Sequence, residues 1–149
     1  MRPYGVFAPA ARPLASNSVI HGAEDSDLDE YGAHVMMHSP GDDSTIARIE
    51  YAEFYRCGQA AHLGRYPIHF HMIGRVTKSY VIGNSIHHSY NRAVTMHGIH
   101  YLRIERNVAY HIAGHTYFME DGIETKNQID ELVKKLEALK ENLPVNVNW

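Results

Sequence analysis

His38, His71, His97 and Glu120 recur at one position of a repeated segment, and they are the residues of this chain best suited to chemistry. The segments are VMMHSPG (35–41), IHFHMIG (68–74), VTMHGIH (94–100) and YFMEDGI (117–123). Three imidazoles and a carboxylate are a donor set for a divalent metal, zinc before others. The same set suits general acid–base work, since neighbouring imidazoles depress one another's pKa while a carboxylate raises them. On this reading His71, His97, Glu120 and Asp121 are the catalytic candidates, and His38, His71, His97 and Glu120 the metal ligands. Four rungs of a straight ladder span roughly 14 Å. One ion holds its ligands at ~2 Å, so His71, His97 and Glu120 are the best subset, with His69 and Asp121 able to contribute from beside the column. The competing reading is a solvated polar ladder.

A second set of segments aligns in the same way: NSVIH (17–21), AEFYR (52–56), NSIHH (84–88) and NVAYH (107–111). Asn17, Asn84 and Asn107 share a column, with Ala52 the exception. Val19, Phe54, Ile86 and Ala109 share the next apolar column, and His21, Arg56, His88 and His111 a basic one. His69, Arg92, His88, His111 and Arg56 are candidate contacts for an anionic substrate chain; an ordinary basic surface is the alternative. Asp25, Asp27 and Asp29 alternate in AEDSDLDEYG. They read first as a solvated loop and second as a calcium site, because Glu30 stands where a calcium-binding helix–loop–helix needs glycine.

These columns require elements that bring them into register. The last two repeats lie 23 residues apart and the preceding one 26. Such a period, with two short strands per repeat, predicts the coils of a parallel β-helix. The aliphatic columns then point inward and the histidine columns outward. Asparagines stacked at a corner hydrogen-bond along the axis, as side-chain ladders do. The first offset is 33 residues, which predicts an insertion over 57–65.

The predicted organisation is an irregular lead-in over 1–16, the β-helix over 17–126, an amphipathic helix over 127–143 and a tail over 144–149. In the helix Ile129, Leu132, Leu136, Leu139 and Leu143 form an a/d seam. Asn127 is the expected N-cap, with Asp130 in the first turn and Pro144 as the stop. That helix either caps the β-helix or joins copies into a homo-oligomer.

Composition narrows the classes further. The chain has 149 residues, 44% hydrophobic and 21% charged, with a net charge of -3. No run is long enough to span a membrane, and the N-terminus does not read as a signal peptide. Cys57 is the only cysteine, which excludes an internal disulfide and a cysteine-based zinc site. The acidic balance weighs against nucleic acid. Twelve histidines are present, and protonating all of them would move the charge to about +9. A pH-dependent polyanion binder is therefore one of the functions the composition allows.

The blocks RYPIHFHM, SIHHSYNRAVTMHG, NVAYHIAGH and EDGIETKN, in that order over residues 33–127, resemble the β-helix region of a known family. It comprises fibrocystin-like proteins, the cell migration-inducing hyaluronan-binding protein and the related cell-surface hyaluronidase. The resemblance implies an all-β fold, a right-handed parallel β-helix of about 4–5 coils followed here by the C-terminal α-helix. It also implies an extracellular or cell-surface setting and an association with hyaluronan or related acidic polysaccharides, by binding or by glycosidic cleavage. The matching positions are His69, His71, His87, His88, His97, His111, His115, Glu120 and Asp121. The family's preceding eight-glycine domain and its membrane anchor have no counterpart in these 149 residues. The rival expectation is a non-catalytic interaction module, or a truncated or artificial β-helix, assembling through its C-terminal helix.

Overall fold

A computed structural model describes residues 29–39 and 44–130, together with the backbone of 19–21. The predicted lead-in, Asn17, Asp25, Asp27, the seam residues Leu132 to Leu143 and the tail all lie outside the described residues. Among the described residues the chain winds through three parallel four-stranded sheets. The first sheet contains β1 (Val19–His21), β4 (Glu53–Tyr55), β7 (Ser85–Ser89) and β10 (Val108–Ile112). The second contains β2 (Val35–His38), β5 (Ile68–Arg75), β8 (Val94–His100) and β11 (Tyr117–Met119). The third contains β3 (Arg48–Glu50), β6 (Tyr80–Ile82), β9 (Arg103–Glu105) and β12 (Gln128–Asp130). Each coil contributes one strand to each sheet, so the fold is a parallel β-helix of four described coils.

Three strands per coil replace the two that the spacing predicts. The missed strand is short, but RIE occurs at both 48–50 and 103–105, and these are β3 and β9. Ile49, Val81 and Ile104 stack in that sheet and are almost fully buried. Phe54 and Ile86 from the first sheet, and Ile68, Phe70, Val94 and Met96 from the second, complete one apolar core. Burial of these columns is the main stabilising contribution.

The second-sheet register is the predicted one: Val35, Ile68, Val94 and Tyr117 align, and His38, His71 and His97 follow three positions later. In the first coil the first-sheet register shifts by one residue. Ile20, not Val19, pairs with Phe54, and His21 pairs with Tyr55 rather than Arg56. The gapless alignment failed because three residues of backbone pairing, not the Asn17 column, decide the match.

Asn84 and Asn107 form the predicted corner ladder. Asn84 Nδ2 donates to Asn107 Oδ1 and to the Ile49 carbonyl, while Asn84 Oδ1 accepts from the Ala52 N–H. A second corner column also satisfies backbone donors: Ser79 Oγ accepts from Ala47 N–H, and Asn127 Oδ1 accepts from Leu102 N–H. This corrects the expected helix start. Asn127 is a rung residue, not an N-cap, and Gln128–Asp130 pair with Arg103–Glu105 as strand β12. Open backbone groups on β9 outcompete the local helical preference there. The remainder of that helix, 131–143, lies outside the described residues. Among the described residues no helix is long and apolar enough to cross a membrane.

Candidate metal centre

From Tyr55 to Ile68 the chain takes thirteen steps, against seven between the corresponding His87 and Val94. The extra residues are the predicted insertion, and they fold back over the outer face of the second sheet. Gly64 brings its carbonyl oxygen to His69 Nδ1 at 3.1 Å, and Tyr66 packs edge-on against the His69 ring at 4.9 Å between centroids. His69 is therefore only 1% exposed. It points away from the core, as alternation requires, yet it is buried, so it is not the open contact residue that the strand pattern implies.

His69 and His71 lie on one face of β5, and His97 is the register partner of His71 on β8. Their rings form a compact set: His71 and His97 are 4.6 Å apart, His69 and His71 5.1 Å, and the His69 and His97 rings are nearly parallel at 6.2 Å. One ring nitrogen from each lies within 4.8 Å of the others. Tetrahedral zinc asks for nitrogens about 3.4 Å apart, given Zn–N near 2.0–2.1 Å, so modest side-chain rotation closes the set around one ion.

The nitrogens are oriented for that role. Nδ1–H of His69 donated to the Gly64 carbonyl leaves Nε2 with its lone pair. His69 Nε2 and His71 Nδ1 are buried without a hydrogen-bond partner, and so is Glu120 Oε2. Glu120 Oε2 stands 3.5 Å from His97 Nδ1 and 3.9 Å from His69 Nε2, which is ion-pair range rather than hydrogen-bond geometry. On the far side of His97, Nε2 is 3.1 Å from Asp121 Oδ2. A proton held there leaves Nδ1 facing Glu120.

Burial, followed by the charges of His71, His97 and His34, pushes His69 down to about 4 against the opposing bond to Gly64. His71 is lowered first by burial and then by His97 and His38, with Glu120 and Asp121 opposing. Both imidazoles are thus held in the neutral form that binds metals.

Glu120 also meets Tyr66 and Arg92. The Tyr66 hydroxyl donates to Glu120 Oε1 at 3.5 Å and accepts from Arg92 Nη1 at 3.0 Å. The Arg92 guanidinium lies 3.6 Å over the Phe118 ring. Arg92 accordingly belongs to the site. His38 is not among the three whose ring nitrogens converge: its ring lies 5.0 Å from that of His71, but its Nδ1 is 3.1 Å from the His71 carbonyl oxygen and its side chain is exposed. Arg56, His88 and His111 occupy a separate column at the end of the first sheet, where all three adopt φ between 50° and 53°. His88 and His111 stack there at 5.1 Å, and His87 binds Glu53 at 2.8 Å. Asp29 is exposed; Asp25 and Asp27 lie outside the described residues. Cys57 is fully buried, and burial pushes its thiol up to about 12.

Two supporting residues are absent from the sequence-based site. Tyr66 gives no signal beyond standing next to the IHFH segment. Glu124 is 8% exposed, and its Oε1 accepts from the N–H groups of Gly98 and Asp121. It ties the turn after β11 to coil three and so sets where Glu120 and Asp121 stand. Its own signal is only the spacing of Glu120 and Glu124 in EDGIE.

The family model described as CEMIP beta-helix matches residues 30–145. Fibrocystin-L of Mus musculus is 50% identical over 119 residues, covering 76% of this chain and 3% of that protein. Cell surface hyaluronidase CEMIP2 of Homo sapiens is 37% identical over 134 residues, covering 78% of this chain and 9% of its own length. Protein rliB of Dictyostelium discoideum is 35% identical over 116 residues, with 78% and 10% covered. The chain thus spans a tenth or less of the length of these curated relatives.

Proposed function

The chain belongs to the CEMIP beta-helix family, and from that premise we propose that it is a glycan-associated β-helix module holding a zinc ion between His69, His71 and His97. One observation carries the reading. Ring nitrogens of His69 and His71 and a carboxylate oxygen of Glu120 are buried without hydrogen-bond partners, and the three imidazoles converge to within 4.8 Å. Buried polar atoms are costly unless something satisfies them, and a divalent cation satisfies all of them together.

Glu120 would be the fourth ligand or the proton-transferring group, Asp121 would orient His97, and Arg92 would receive the carboxylate of an acidic sugar. When bound, zinc there would supply Lewis acidity toward a sugar oxygen. The ligand class we infer is a hyaluronan-type acidic polysaccharide at the cell surface. Its support is a relative named a cell surface hyaluronidase. Glycosidic cleavage is the activity proposed for this site.

Elemental analysis of the purified protein tests the reading, beside the His71→Ala/His97→Ala variant. One zinc per chain in the parent and none in the variant is expected, together with loss of hyaluronan shortening in the variant. A folded parent protein that takes up no zinc even when supplied with it would refute the metal reading.

A further inference from the structure

The outer side of the third sheet carries a row of cations. Arg48, Tyr80 and Arg103 share one register column across β3, β6 and β9. Two residues before β6 and β12 stand Lys78 and Lys126, at the corner where the chain leaves the second sheet. These side chains line an open hollow of about 650 Å³. A smaller one of about 260 Å³ shares Thr77 and Lys78 and adds Arg75. Among the described residues no carboxylate lines either hollow, although the chain has 17 Asp and Glu against 14 Lys and Arg.

The cations are held in place before any ligand arrives. The guanidinium carbons of Arg48 and Arg103 lie 5.9 and 5.5 Å from the Tyr80 ring centre. Arg48 Nε also donates to the Lys78 carbonyl at 3.1 Å. Lys126 Nζ donates to the Tyr101 hydroxyl at 3.2 Å. Two acidic groups stand behind the hollow. Glu105 binds Arg103 Nε at 3.1 Å, and Glu50 bonds to the Tyr80 hydroxyl. They offset part of the charge of the arginines, whereas Lys78 and Lys126 are exposed with no carboxylate partner among the described ion pairs.

We propose that this hollow is a groove for the acidic groups of a linear polysaccharide, separate from the histidine cluster. Arg48, Lys78, Arg103 and Lys126 come one from each coil, so they span roughly 14 Å along the axis at ~4.8 Å per rung. A single small anion needs no such row, whereas a polymer with repeating charges meets the cations in turn. The hydroxyls of Thr77 and Tyr101 add partners for sugar hydroxyls. Preordered cations reduce the entropy lost on binding. Thr77 stands six positions after His71, at most about 20 Å of chain, so one polymer can touch both sites. The choice of a glycan rests on the functional reading above; the groove itself rests on the cations and the hollow.

The test uses the full chain, titrated with a hyaluronan oligosaccharide and, in a second arm, with a heparin-type sulfated one. Lys78→Gln/Lys126→Gln is the groove variant, and both residues are exposed. Matching circular dichroism spectra and melting curves verify its fold. We expect binding weakened about 10-fold with a shallower salt dependence, and unchanged zinc content. The arm that binds more tightly identifies carboxylate or sulfate as the recognised group. Loss of zinc in His71→Ala/His97→Ala with groove binding retained supports two separate sites. Groove binding in a protein that takes up no zinc rejects the metal reading alone. Equal affinity of parent and groove variant, failure of both glycans, or equally tight binding of a DNA duplex would overturn the groove.

Discussion

Asn84 Nδ2 donates to Asn107 Oδ1 across 2.9 Å, and the same oxygen accepts the Asn84 backbone N–H at 2.9 Å. One buried side chain thus closes two donors of its neighbour and joins successive coils without a covalent link. Asn107 Nδ2 in turn donates to the Val81 carbonyl at 2.8 Å.

Asn84→Ala leaves the Ala52 N–H and the Ile49 carbonyl without their side-chain partner in the core. We expect a loss of about 3 kcal/mol, at 1–3 kcal/mol per unsatisfied buried group. Urea unfolding measures it, and a loss below about 1 kcal/mol would show that water or rearrangement replaces the ladder.

The metal-free protein should lose stability on mild acidification because of His69. Its folded pKa is about 4 against 6.5 for an ordinary imidazole. In that interval the unfolded chain binds the proton and the folded chain does not, so stability rises with pH. The contribution is complete above about pH 6.5, is lost progressively toward about pH 4, and is on the order of 3 kcal/mol. His71 is shifted in the same direction. Unfolding free energies across this window, compared with His69→Gln, isolate the effect. A variant with the same pH slope as the parent protein would count against it.

Glu124 is predicted to act on the candidate metal centre without touching it. Its buried carboxyl is raised by burial, but backbone N–H groups of Glu124, Gly98, Asp121 and Gly122 outweigh that and hold it below the usual range. Glu124→Ala should free the turn carrying Glu120 and Asp121 and weaken zinc binding by about 10-fold or more. Glu124→Gln keeps an oxygen acceptor and should recover much of it. Zinc titration with a competing chelator reads both variants. Unchanged affinity in Glu124→Ala would mean that the turn holds itself.

Much of the second sheet is legible in the sequence. Val35, Ile68, Val94 and Tyr117 repeat an inward position, and His38, His71 and His97 repeat an outward one. Period-two alternation and a constant coil length leave little freedom in how such segments stack. The third sheet was not read, since a three-residue strand has too few positions to show alternation; only the repeated RIE marked it. The same limitation misplaced β1 by one residue. At Asn127 local helical spacing competes with a waiting strand edge, and a linear pattern contains no edge.

The sequence by itself determined the parallel β-helix, the asparagine corner and the column that brings His71 to His97, because each follows from residue type repeated at a fixed interval. Tertiary structure alone decided which histidines converge. The insertion over 57–65, with the adjoining Tyr66, folds back across β5, buries His69 under Gly64 and Tyr66, and turns it from a neighbour of the column into a member of the triad. Burial by a loop depends on where that loop packs, and no interval along the chain encodes that.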